Sequence, residues 1–362
     1  MKFIKMLLKK SLKKYKCASQ NCGMMGAKRY YGIMEKYTYK NSGVDLNSAE
    51  TLSKLLFTGL KSANFKSFAG LFEHPALPEY ALAATTDGIG TKIIPLIENG
   101  LYKTMAADLA AMNLNDLACV GARPLFFLDY IAVNSLDARM IAHFVQELNF
   151  LLLSHGCALL GGETSELGNF IKEGHFDAAG FAVGLVKKTN LMLKENIEAG
   201  DVVIGLKSSG AHSNGFSLIR KLYADKKITK EEFLKTLKPT EIYVDEILEL
   251  CDRKLILGAA NITGGGILSN LERTIPDGLT AVLNKNMLPK LEVFEILNKY
   301  VCEDEMFRTF NMGAGFCIIA PEKNVDTVMQ IVQEFSPFVF GEIKSGKDCK
   351  EGGKGARAVF KA

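Results

Sequence analysis

MAADLAAMNLNDLACVGARPLFFLDYIAV, residues 105–133, changes its hydrophobic period once, and that change decides the fold class. Over Met105–Cys119 the residues Ala106, Leu109, Met112 and Leu117 recur at helical spacing. After Gly121, Pro124–Val133 reads as a strand. The alternation continues outward on both sides. Ala81–Thr86 is a short apolar strand, and Leu136–Ser154 is an amphipathic helix with Ile141, Phe144, Val145, Leu148 and Leu152 on one face. Cys157–Leu160 and Ala178–Val186 follow as strands, and the polar stretch Lys187–Gly200 separates this half from the next. The second half restarts with strand Asp201–Lys207, helices Phe216–Tyr223 and Glu241–Cys251, and strands near Ala281, Phe316 and Phe338. The expectation is an α/β (α+β) protein of two domains, 37–187 and 188–362, behind a basic extension at 1–36. Sheet order does not follow from these patterns.

A chain of 362 residues is about two domains long. Its 48% hydrophobic and 23% charged content can bury a core and excludes a disordered chain. The most apolar run, Leu117–Val133, is broken by Arg123 and Asp129, so no membrane partner is expected. The net charge of +4 is unevenly spread: residues 1–40 hold eleven basic residues and one acid, the remainder 33 basic and 39 acidic. The mildly acidic body offers no footprint for nucleic acid. The leader reads either as a transit peptide or as sequence upstream of a later start at Met24, Met25 or Met34. The second reading is favoured because Lys dominates and Arg is nearly absent. Cytoplasmic location is expected on that reading, and an organelle on the other. Eight cysteines without a CxxC suit reduced core thiols.

Chemistry-bearing residues cluster where strands end. Thr86-Asp87-Gly88-Ile89-Gly90-Thr91-Lys92 joins an acid, two glycines and a cation; it is either a tight turn or a loop that approaches a ligand closely. On the following helix Asp108 and Asn115 are seven residues apart and share a face, with Asp116 about 80° further round. These are oxygen ligands for a hard cation such as Mg²⁺, or else an ordinary polar stripe. Glu163, in Gly161-Gly162-Glu163-Thr164, stands just past an expected strand, and Asp177 begins another. Acids at successive strand ends can converge on one sheet edge, where α/β ligand sites form.

The second half adds loops without acids. Ser208-Ser209-Gly210-Ala211-His212-Ser213-Asn214-Gly215 and Thr263-Gly264-Gly265-Gly266 each precede a helix, suiting phosphate oxygens, although Ser213 or Asn214 could be only a cap. His212 alone is weak evidence of catalysis. Gly341–Asp348 has the glycines and lysine of a P-loop, but Asp348 stands where Ser or Thr is needed, and a surface hairpin is expected there.

In order along the chain, Tyr39-Lys40-Asn41-Ser42-Gly43-Val44-Asp45, the Thr86–Lys92 string, Asn115-Asp116-Leu117, Gly121–Tyr130, the Gly161–Thr164, Ser209–Gly215 and Thr263–Gly266 loops, and Glu305–Gly313 resemble the phosphoribosylformylglycinamidine cyclo-ligase (aminoimidazole ribonucleotide synthetase) family. The resemblance spans residues 39 to roughly 345. It implies a homodimer that pairs N-terminal sheets, and ATP-dependent closure of formylglycinamidine ribonucleotide to aminoimidazole ribonucleotide. It implies ATP and Mg²⁺ as cofactors and leaves a monovalent cation open. Catalytic roles then fall to Asp87, Lys92, Asp108, Asp116, Glu163 and His212, the metal to Asp87, Asp108, Asp116 and Glu163. Substrate and ATP contacts fall to Thr86, Gly88, Gly90, Thr91, Asn115, Thr164, Asp177, Ser209, Gly210, Ser213, Asn214, Gly215, Asn261, Thr263, Gly264, Gly265, Gly266 and Arg308. One departure stands out: the family usually has His directly before this Thr-Gly-Gly-Gly region, where this chain has Asn261-Ile262. A same-fold phosphotransferase such as thiamine monophosphate kinase and a non-catalytic nucleotide-binding paralogue are the competing readings. A hydrogenase-maturation protein would need a cysteine near its C-terminus, and none follows Cys349.

Overall fold

The computed structural model describes residues 37–46, 48, 51, 52, 55, 67–345 and 357–361. The basic extension expected at 1–36 lies outside them. The first unit runs β1 (Gly70–Glu73), β2 (Tyr80–Gly88), α1 (Ile93–Glu98), α2 (Tyr102–Ala118), β3 (Arg123–Val133), α3 (Ala138–Ser154), β4 (Ala158–Glu166) and β5 (Phe176–Lys187). Its sheet has the order β1-β2-β5-β3-β4. Only β3 and β4 are parallel, joined by the crossover helix α3, and the other pairs are antiparallel. Asp137 starts α3 by accepting the N–H groups of Arg139 and Met140; of the expected face Ile141, Phe144, Leu148 and Leu152 are buried and Val145 is half-buried.

The second unit runs β6 (Val202–Lys207), α4 (Phe216–Ala224), α5 (Lys230–Lys235), α6 (Val244–Asp252), β7 (Gly258–Asn261), α7 (Gly266–Leu271), β8 (Leu279–Leu283), α8 (Glu292–Asn298), α9 (Glu303–Thr309), β9 (Ala314–Ala320), α10 (Val325–Ile331), β10 (Phe338–Ser345) and β11 (Ala358–Phe360). Among the described residues its six strands lie in the order β11-β8-β10-β6-β9-β7, antiparallel except for β11 against β8.

Four local expectations change. Helix α2 is not one-sided: twelve of its seventeen residues are buried, because it packs on β2, β5 and α3 and also meets α6 and β7 of the second unit. Its polar side is therefore an inter-unit seam. The strand expected at Cys157–Leu160 continues through Glu166, since β3 offers backbone partners as far as Val133. Glu163 thus lies within an edge strand. Helix α6 begins at Val244, three residues later than the pattern suggests, because α2 side chains hold Thr240–Tyr243 by their backbone. Gly341–Ser345 is not a surface hairpin but the end of β10, paired with β8; residues 346–348 lie outside the described part.

One sheet face of the first unit carries the helices. The other presents Phe72, Phe181, Leu128 and Tyr130, between 37% and 58% exposed, and register and alternation put them on one side. Among the described cysteines, Cys119, Cys157, Cys251 and Cys317 are buried and free, as core thiols should be.

Candidate active site

A cleft of about 370 Å³ opens where the two units meet. Asp87, Gly88, Gly90 and Thr91 line it from the first unit, and Ser213, Asn214, Thr263 and Gly264 from the second. Loops more than a hundred residues apart therefore face one another. Tyr39, Met112 and Ser217, which the sequence reading did not place in the site, line it as well. Thr91 Oγ1 and Ser217 Oγ bridge the units at 3.1 Å.

Asp87 ends β2 on the helix side of the sheet. Its N–H donates to Asn113 Oδ1 of α2 at 3.1 Å, and its Oδ1 accepts the Gly88 N–H at 2.7 Å. Burial pushes its carboxyl up to about 6 against the pull of that hydrogen bond. Asp116, near the end of α2, accepts the Asn261 Nδ2–H at 2.9 Å. Burial pushes its carboxyl up to about 7; Asn261 opposes this, the nearby Asp87 charge adds to it and Arg273 lowers it. Asn261 is itself buried, and its backbone N–H points at Cys119 Sγ at 3.1 Å.

Asp108 and Lys92 hold each other. Both side chains are wholly buried, with Nζ 2.9 Å from Oδ1 and 2.8 Å from Oδ2. Nζ also donates to the Lys238 carbonyl, and Asp108 Oδ1 accepts both the N–H and the hydroxyl of Thr240 at 2.8 and 2.7 Å. Burial pulls the ammonium down and Asp108 works against that. This differs from the expected metal ligand and phosphate-facing lysine: the two groups pair within the first unit and are tied to the second through Lys238 and Thr240. Asn115 likewise serves the seam, donating to the Glu241 carbonyl and accepting the Tyr243 N–H, both at 2.9 Å.

The remaining residues divide. Ser209 donates to the Pro239 carbonyl. Gly210 is braced by Asn311 Nδ2 at 2.9 Å, a role for the Arg308–Gly313 string that the sequence did not reveal. Gly215 has φ +77°, and a Cβ there would meet the Phe310 ring at 2.1 Å; Gly266 has φ +70° and would meet the Phe307 carbonyl at 1.9 Å. These two glycines answer to packing. His212 is buried, with Nε2 unpartnered, and burial, helped by the Lys92 charge, pushes it down to about 3. A base near neutral pH is not what this environment makes. Arg308 lines a separate cleft of about 920 Å³ with Gly265.

Thr86 donates to the Gly180 carbonyl at 2.8 Å on the outer sheet face, where Asp177 and Glu163 also lie by alternation. Glu163 stands opposite Tyr130, Tyr130 opposite Ala179 and Ala179 opposite Gly88, so three strand spacings, ~14 Å, separate Glu163 from Gly88. Thr164 stands beside it on the same edge strand, opposite Ile131. The acids thus do not meet at one edge, and among the described residues no cluster of three or more acidic, His or Cys side chains forms a metal cage. What remains is Asp87, which lines the cleft, and Asp116, near enough for the Asp87 charge to act on it. That number of carboxylates suits Mg²⁺, which takes one or two together with substrate phosphates.

The family model "AIR synthase related protein, N-terminal domain" matches residues 69–186, and the corresponding C-terminal domain model matches 198–353. The phosphoribosylformylglycinamidine cyclo-ligase of Clostridium botulinum (strain 657 / Type Ba4) is 39% identical over 327 residues, covering 87% of this chain and 99% of that protein. Among solved structures, thiamine-monophosphate kinase from Stenotrophomonas maltophilia K279a superposes with a TM-score of 0.57 at 19% identity, over 81% of this chain and 88% of that one. A hydrogenase maturation protein in complex with ATP does so with a TM-score of 0.60 at 14% identity, over 80% and 82%. At such identities these two share the fold.

Proposed function

The chain belongs to the phosphoribosylformylglycinamidine cyclo-ligase family, and from that premise we propose that the inter-unit cleft is where the ring is closed. The reaction is the ATP-dependent cyclisation of formylglycinamidine ribonucleotide to 5-aminoimidazole ribonucleotide, the fifth step of purine synthesis, with release of ADP and phosphate. ATP phosphorylates the formyl oxygen, which converts a poor leaving group into phosphate. The amidine nitrogen then attacks the activated carbon, a C–N bond forms, and phosphate departs.

The observation that carries the site is the meeting of the Asp87–Thr91 turn with the Ser213–Asn214 and Thr263–Gly264 loops across one cleft. Phosphoryl transfer depends chiefly on positioning, which the facing loops supply, and on charge compensation, which a bound cation would supply. Asp87 and Asp116 would hold Mg²⁺, whose charge neutralises the transferring phosphates. A relative in fold is known in complex with ATP, which supports nucleotide binding by this fold. The units are taken as 37–187 and 188–362.

The exposed apolar face of the first sheet supports a homodimer that pairs those faces. Thr86, Glu163 and Asp177 could reach a cleft only across such a pairing, whereas Thr164 lies by alternation on the helix-bearing face. Among the described residues no helix is long and apolar enough to cross a membrane. Cytoplasmic location is part of the proposal, with an organelle as the alternative if the leader is a transit peptide.

The test is to supply Mg-ATP and formylglycinamidine ribonucleotide and measure ADP and aminoimidazole product together. Equal yields are expected, and Asp87→Asn should cut turnover at least about a hundredfold with the fold intact. ADP without the imidazole would point to a phosphotransferase, and unchanged turnover in Asp87→Asn would remove Asp87 from the site.

A further inference from the structure

A hydroxyl can donate one proton, and in this cleft the direction of one donation is already decided. Asp108 Oδ1 accepts the Thr240 backbone N–H at 2.8 Å and Lys92 Nζ at 2.9 Å. Neither contact can run the other way, because an amide N–H and an ammonium only donate. The Thr240 hydroxyl, 2.7 Å from the same oxygen, therefore spends its proton on Asp108. Ser213 Oγ lies 3.0 Å from Thr240 Oγ1, and both side chains are buried. With Thr240 committed, only Ser213 can supply the proton between them. Ser213 also lines the cleft.

From this we infer that Ser213 presents only oxygen lone pairs to the cleft and selects an N–H or O–H donor of the bound ligand, not a phosphate oxygen. The inference rests on the cleft being the active site. It changes what the Ser209–Gly215 loop does: any phosphate there is met by other groups, while Ser213 reads a donor-bearing part of the ligand. Thr240 is a positioning residue, which acts on the ligand only through the proton it withholds from Ser213. Two ligands of the reaction carry such donors, the amidine and ribose groups of the ribonucleotide substrate and the ribose and adenine groups of ATP. Inorganic tripolyphosphate, at a pH where it is fully ionised, carries none.

The experiment measures binding of Mg-ATP, formylglycinamidine ribonucleotide and Mg-tripolyphosphate to wild-type protein and to Ser213→Ala, Thr240→Val and Thr240→Ser, with turnover of the wild type alongside. Ser213→Ala should weaken one of the two donor-bearing ligands about tenfold, the worth of one hydrogen bond, and leave tripolyphosphate unchanged. The ligand that weakens identifies the donor. Thr240→Val frees the Ser213 proton to turn outward, so the same ligand should weaken while tripolyphosphate binds a few-fold tighter. A loop merely loosened by the substitution would weaken both. Thr240→Ser keeps the chain of donations and should restore the wild-type pattern. Tripolyphosphate weakened by Ser213→Ala as much as the other ligands overturns the inference, and so do three unchanged affinities. Wild-type protein that turns over separates those results from failure of the site itself, whereas wild-type protein that binds neither ATP nor the ribonucleotide overturns both.

Discussion

Asp108 and Asp116 sit eight residues apart on one buried helix, both against the second unit, and the two ends of that helix differ in the partner they find. Asp108 meets an ammonium, an amide and a hydroxyl, and becomes part of the scaffold. Asp116 meets the neutral amide of Asn261 and a second carboxyl, and burial leaves its proton held up to about 7. The lesson is that burial alone does not separate a structural acid from a reactive one. The balance of charge in the surrounding contacts does.

The largest effect should come from breaking the Asp108 end. Lys92→Met leaves an uncompensated buried charge and should cost about 3–5 kcal/mol in a urea unfolding measurement. A loss under about 1 kcal/mol would mean that water reaches Asp108, and the contrast between the two ends would fail.

At the Asp116 end the expected signature is a pH slope. A carboxyl raised from 3.8 to about 7 stabilises the folded protein fully below pH ~4, and that stability is lost as pH rises through about 7. Asp87, raised to about 6, and Glu246, raised to about 7 by burial and by its hydrogen bond with Glu334, act in the same direction. Without Mg²⁺ the melting temperature should therefore fall between pH 5 and 8. Asp116→Asn should flatten part of that fall while lowering turnover strongly. A wild-type curve that rises over this interval contradicts the assignment.

Asn261→Ala tests the amide partner more gently. It removes a hydrogen bond to the ionised form of Asp116, so the acidic limb of the pH–kcat profile should move up by roughly half to one unit. The smallest change should follow His212→Asn, which keeps a residue tolerant of the left-handed φ of +54°. The shape of the pH–rate profile near neutrality should stay the same, and loss of one limb would return His212 to acid–base work.

How much of this was legible beforehand depended on the range of the interaction. Helix α2 and strand β3 followed from a local change of period, and the Asp87 and Ser213 loops from glycine and hydroxyl residues after strands. The separation of Glu163 and Asp177 from Asp87 was not legible, because sheet order and facing are properties of distant pairings. Thr240 carried no local mark either: its role comes from an acid 132 positions away. His212 looked available in its motif, yet its positive φ and the close approach of Gly315 bury it.

The seam also sets a timetable. Asp108 waits for a partner 132 residues downstream, and at about 5–20 residues per second of synthesis that is on the order of 7–26 s. During that interval the first sheet can form, but the side of α2 that bears Asp108 and Asn115 must stay in water. The seam therefore closes only when the Thr240–Tyr243 segment arrives and displaces that water from the helix, and the cleft is completed later still, with Thr263 and Gly264.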